Sequence, residues 1–333
     1  MTSKRKPIQK WSFSEGFFIV ASLFLLSLLL YSPSVACEAV LRALKQCASL
    51  LIPSLFPLMV ASEIAMESGA LERITKPFQK IVARILGVKK EAAAPYFLGL
   101  LGGYTTSVGG ALSLYKNGKI SKRDCERIIA FSSIPSLSFL TGFVGAGIFN
   151  NSTVGWILWG ISVLSTLILG LLTQIKTKRE RSCKEEIMEI TTPNELFMEM
   201  AKKSPSPSKI IVGAISHSAN AMVLICACVV FFSSLISALQ YPLSTIDMPL
   251  EVQNIILGSF EITNGITNCT IFPTTDIRIA LCAFFIGWSG FSVHFQIISI
   301  CDGYDLSFKK YLLFKIAQGL LCAIFSKIIF LFL

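Results

Sequence analysis

One carboxylate, Glu261, interrupts a run that is otherwise apolar or neutral: Phe260-Glu261-Ile262-Thr263-Asn264-Gly265. With Thr263 and Asn264 it offers a carboxylate, a hydroxyl and an amide within four residues. Such oxygen groups suit a cation or the polar edge of a small solute. An ionisable group deep in a bilayer costs about 2.5–3.5 kcal/mol on insertion scales, so Glu261 reads as part of an ion or solute path. The competing reading places it near the outer interface, capping a half-helix. A second polar stretch, Trp288 to Gln296, sets Ser289, Ser292 and Gln296 at i, i+3 and i+7, on one helix face, with His294 off that face. The serines alone read as packing residues; Gln296 with His294 reads as a cavity wall. A third stretch, Gly102-Gly103-Tyr104-Thr105-Thr106-Ser107, offers hydroxyls and free amides. His217 and Asn220 are weaker candidates of the same kind. In Ser132-Ser133-Ile134-Pro135-Ser136, Pro135 should kink its helix and free a carbonyl.

Enzyme chemistry has less support. Glu261 and His294 could form a general acid–base pair. The chain holds only two histidines, however, and has neither a P-loop nor a Gly-x-Gly-x-x-Gly after a strand. The reading is a non-enzyme without cofactor. Ten cysteines are scattered with no pair of C-x-x-C motifs, so no metal site is expected.

The elements that must position these groups are membrane helices. Of 333 residues, 53% are hydrophobic and only 15% charged, and mean hydropathy is +0.66. Apolar runs near 14–32, 46–66, 128–149, 153–175, 210–239, 278–300 and 312–333 suit about 30 Å of hydrocarbon. The expected fold is all-α, polytopic, with about seven transmembrane helices. Two further stretches, 92–115 and 253–273, are apolar but broken by glycine and polar residues. The net charge of +10 lies in short loops, as a topology signal rather than a nucleic-acid patch.

Charge then sets orientation. The tail with Lys4, Arg5, Lys6 and Lys10 faces the cytoplasm, and a retained signal anchor is preferred there over a cleaved signal or lipoprotein site. Segments 67–91 and 116–127 are both strongly basic, and only 92–115 separates them. A re-entrant hairpin keeps both inside. The basic loop 176–209 follows on the same side, and the loop with Asp247 and Glu251 lies outside. A second re-entrant hairpin at 253–273 then leaves Lys309 and Lys310 inside. Each half reads span, hairpin, span, span, in opposite orientation: an inverted-topology repeat, as in many secondary transporters. The divisions are a tail and first helix (1–36), a first repeat (37–175), a cytoplasmic linker (176–209) and a second repeat (210–333). Arg42, Lys45, Arg278 and Lys327 fall toward the outer side and would snorkel. In 70–86, Leu71, Ile74, Phe78, Ile81, Val82 and Ile85 oppose Arg73, Lys76, Lys80 and Arg84, an amphipathic helix for the inner headgroup region.

The glutamate run, then Trp288-Ser289-Gly290-Phe291-Ser292-Val293-His294-Phe295-Gln296, closely resemble the YlbJ family of sporulation integral membrane proteins, which carry the nucleoside-recognition Gate domain. Ile52-Pro53-Ser54-Leu55-Phe56-Pro57 and Gly103-Tyr104 followed by Lys119-Ile120-Ser121-Lys122 fit as well. The likeness runs from about residue 40 to the C-terminus. It departs at Thr105, where the family has proline, at Gly109-Gly110-Ala111, where a lysine should follow, and at the serine run, where the family is rich in asparagine. The resemblance implies transport-like architecture and a link to spore formation. The domain name reflects similarity to nucleoside and ferrous-iron transporters and fixes no substrate.

The resulting expectation is a small-solute or ion permease of the bacterial inner membrane. Glu261, Thr263 and Asn264 would meet the solute or a coupling cation, Ser289, Ser292, His294 and Gln296 would form the opposite wall, and Tyr104, Thr105 and Thr106 the counterpart in the first half. Membrane lipid and a small polar solute or ion are the expected partners, with a homo-oligomer or other sporulation membrane proteins as further ones and no nucleic acid. The alternative is a non-transporting scaffold for spore cortex or coat assembly.

Overall fold

A computed structural model describes residues 13–181 and 206–331. The basic N-terminal tail and most of the expected linker lie outside these residues. Among the described residues every regular element is helical. The chain is an all-α polytopic membrane protein. Five stretches are long and apolar enough to cross a membrane: Pro33–Glu67, Ser152–Gln174, Pro207–Gln240, Thr275–Ile300 and Phe308–Phe330.

After α1 (Phe13–Tyr31) comes α2 (Pro33–Glu67), longer than the expected 46–66. Arg42 and Lys45 therefore ride on the helix rather than in a connector. A π turn at Cys47–Leu51 precedes Pro53 and Pro57, which remove two donors from the ladder. The helix α3 (Ala70–Leu86) ends on Gly87, whose left-handed backbone (φ 64°) suits glycine. Its Thr75, Gln79, Ala83 and Leu86 are buried, whereas Ile74, Phe78 and Ile81 are exposed. Its outward apolar stripe is uncovered by protein, as an interfacial helix requires.

The pair α4 (Ala93–Gly102) and α5 (Tyr104–Lys116) is separated by Gly103 alone, at φ 83° and ψ −171°, a conformation essentially restricted to glycine. The expected span 128–149 is two pieces: α6 (Lys122–Ser132), a non-helical 133–136, and α7, a π-helical Phe139–Ile148. Pro135 supplies no amide. The hydroxyls of Ser132 and Ser133 bond the carbonyls of Ile128 and Ile129, offering the backbone a way out of the helix. Then α8 (Ser152–Arg181) closes the first half.

The second half repeats the succession. A long helix, α9 (Pro207–Ser244), leads to a helix pair, α10 (Leu250–Gly258) and α11 (Ile262–Asn268). A broken helix follows, α12 (Thr275–Trp288) and α13 (Gly290–Ile300), then α14 (Phe308–Phe330). The close approach of α12 to α14 is set by Gly287 and Gly319: a Cβ on Gly287 would lie 2.6 Å from the Cα of Gly319.

Polar contacts around the start of α6 tie neighbouring elements together. Arg127 donates to the carbonyl of Leu86, Lys122 pairs with Asp305 at 2.7 Å, and Glu126 accepts from the Ser307 amide. The bond to Asp305 holds the Lys122 ammonium above the ordinary lysine range. Within the bundle Gln46 of α2 donates to Thr267 in the second half.

Candidate functional site

The second-half turn is built around Glu261. It takes an extended backbone (φ −145°, ψ 126°) and caps α11 with its own side chain. The carboxylate accepts from the amides of Thr263 (3.0 Å) and Asn264 (2.8 Å), from Asn264 Nδ2 (2.9 Å) and from the Thr263 hydroxyl. Asn264 also donates to Ser233 on α9 at 2.8 Å. Glu261 is 1% exposed. Four donors on one buried carboxylate replace the water it has lost. Glu261 thus caps a helix, as one of the sequence readings had it, and is buried as it does so.

The unwound backbone is satisfied by the neighbouring break. The carbonyl of Ser259 accepts from the Phe291 amide (3.1 Å) and Trp288 Nε1 (2.9 Å), and that of Phe260 from the Ser292 amide (2.9 Å). Ser289 and Gly290 are both left-handed, at φ 74° and 78°. For Ser289 that conformation costs on the order of 1–3 kcal/mol, which the surrounding bonds must offset. Only glycine fits next, since a Cβ on Gly290 would lie 3.0 Å from the Ile262 nitrogen.

The first half builds a matching crossing. Gly103 faces Ser136, where an added Cβ would sit at 3.4 Å, and the hydroxyls of Ser107 and Ser132 bond one another. Lys315 of α14, fully buried, donates from Nζ to the Ser133 carbonyl (2.7 Å) and to Gln318 Oε1 (2.8 Å). A carbonyl freed at this break thus receives the tethered Lys315 Nζ. Sequence reasoning missed Lys315. Its signal was a lysine spaced with Tyr311, Gln318 and Cys322 along the buried stripe of an apolar span.

Between the crossings lies a cavity of about 60 Å³. Its polar lining includes Tyr104, Thr105, Ser136, Glu261, Thr263, Ser289, Ser292 and Gln296, with Leu55, Met59, Phe139, Ile225 and Val229 among its apolar lining. Tyr104 spans the two halves, its hydroxyl donating to Gln296 Oε1 at 2.8 Å. Three candidates stand elsewhere. Thr106 turns back onto the Gly102 carbonyl. Asn264 is not in the lining but holds Glu261. His294 points away, Nδ1 bonded to the Tyr311 hydroxyl at 2.9 Å and its ring against Trp288. The volume admits a few waters or a dehydrated ion, and lies below the roughly 300 Å³ at the low end for drug-sized ligands.

Among the described residues, one cluster has donors placed to hold a metal. His217 of α9 and Glu63 and Glu67 of α2 bring their ligand atoms within 4.8 Å of one another, with His217 Nδ1 3.2 Å from Glu67. Asn220 is exposed.

The comparisons agree with the sequence resemblance. Residues 48–151, from mid-α2 through α7, match the Gate family, described as nucleoside recognition. The chain is 25% identical to the sporulation integral membrane protein YlbJ of Bacillus subtilis (strain 168), across 91% of this chain and 79% of that protein. No solved structure matches.

Proposed function

Taking the chain as a YlbJ-like membrane protein, we propose that it is a small-solute or ion permease whose site is the cavity between the two helix crossings. One observation carries this reading: each half breaks two helices, and the breaks converge on a single buried cavity that contains a carboxylate. Broken backbone at membrane depth persists where it lines such a site. In this reading the helix pairs α4–α5 and α10–α11 are re-entrant, entering from opposite faces. Rocking one half against the other would then expose Glu261, Ser292 and Gln296 to either side. The small volume describes a closed state, and a nucleoside-sized solute would need it to open. The named relative suggests that the transport serves spore formation.

The test is a panel of ions, nucleosides and small polar solutes offered to proteoliposomes holding the wild type or Glu261→Gln. The reading expects at least one solute whose flux falls about tenfold or more in the variant, the equivalent of about 1.4 kcal/mol. Identical flux for every solute that moves would overturn it.

A further inference from the structure

A larger cavity lies outside the bundle centre. It is about 380 Å³, formed where the end of α3, the start of α6 and the last turns of α8 meet. Arg84, Lys89, Arg123 and Arg127 line it, against a single acid, Asp124. Arg127 is fixed as its floor: Nε and Nη2 donate to the Leu86 carbonyl at 3.1 and 2.7 Å, and Nη2 also to Thr173. Gly87 lets the chain pass close to that floor, since a Cβ there would meet Gln174 at 3.0 Å and Arg127 at 3.4 Å. Ser121 caps α6 at the rim, so the helix presents its positive end to the same space. Among the described residues, Arg84, Lys89 and Arg123 take part in no ion pair.

Four cations around a concave space, with one acid among them, make a local positive field that favours an anion. Guanidinium groups and an ammonium around a helix start suit a phosphate. The source of that phosphate is decided by α3. Arg84 lies one turn from Ile81, and Ile81, Phe78 and Ile74 form the exposed apolar stripe. A headgroup in the cavity would leave its acyl chains on that stripe. We propose that this cavity is a binding site for the phosphate of an anionic glycerophospholipid, which anchors α3 and the first half at the interface. The site is separate from the central cavity and stands whether or not the protein transports.

The test uses the full chain purified in detergent, with bound lipid counted by native mass spectrometry. The probes are phosphatidylglycerol and phosphatidylcholine. Each cation near a membrane surface contributes about a fivefold change in binding. The triple variant Arg84→Gln, Lys89→Gln, Arg123→Gln should therefore weaken phosphatidylglycerol binding by well over tenfold. A control with the same charge removed at Lys76, Lys80 and Lys116, outside the cavity, should bind as wild type does. Phosphatidylcholine should bind poorly to all three. Should the pocket triple fail to fold, the single changes Arg84→Gln and Arg123→Gln should each weaken binding on the order of fivefold. Equal losses in the pocket and control variants would overturn the site in favour of a diffuse field. Displacement of the lipid by inorganic phosphate or glycerol 3-phosphate at matching concentration would overturn the lipid assignment in favour of a free anion.

Discussion

At Glu261 the same four bonds that make the carboxylate tolerable also hold it ready. Glutamine has the same shape but replaces one accepting oxygen by a donor, so some of those N–H and O–H donors would lose their partner. Leaving a buried donor unpaired costs about 1–3 kcal/mol. Glu261→Gln is thus expected to lower thermal stability in detergent as well as flux, and Glu261→Asp to do so less. Tyr104→Phe removes one bond between the halves and leaves the buried Gln296 Oε1 without that donor, so it should cost about 1–3 kcal/mol. A larger loss in a melting experiment would mean that the hydroxyl does more than join Gln296. These residues stood out in the sequence because a carboxylate in an apolar run is costly, although a helix cap for Glu261 and packing for the serines were open as alternatives. Lys315 was only half legible: its spacing with Tyr311, Gln318 and Cys322 puts it on the buried stripe, but only the fold shows Ser133 opposite it.

At the scale of elements, the helix breaks are what the sequence announced unevenly. Gly103 stood in a run of glycines, and the structure gives it a backbone that other residues avoid. Gly103→Ala should therefore cost on the order of 1–3 kcal/mol, read as a fall in melting temperature, while Gly109→Ala, with open space around its Cα, should cost nothing measurable. The break at 133–136 was half visible, through Pro135. The π-helical geometry of α7 was invisible, because it depends on how the ladder restarts and not on composition. At Ser289 the left-handed backbone begins one residue before the glycine, a placement set by the bonds from Phe291 and Ser292 to the facing turn. A periodicity argument that puts Ser289 and Ser292 on one continuous helix face cannot anticipate it, although both reach the cavity.

For the whole molecule, the charge pattern and the contacts point the same way. The connectors around 87–92 and 117–122, both basic, and 301–309, which brings the acid Asp305, lie together, tied by Arg127 to Leu86 and Lys122 to Asp305. The proposed topology expects cysteines substituted at Lys119 and Lys309 to be labelled from one side of the membrane and one at Asp247 from the other. Labelling of Lys119 and Lys309 positions from different sides would break the mirrored plan. The plan matters because it makes the central cavity reachable from both sides in turn. The direct measurement is the reactivity of Ser292→Cys, in a background lacking other reactive thiols, toward a membrane-impermeant reagent added to either face of oriented vesicles. The permease reading predicts reaction from each side, slowed by the transported solute. A thiol at this position that stays unreactive from both faces, or reacts from one face only, would contradict it.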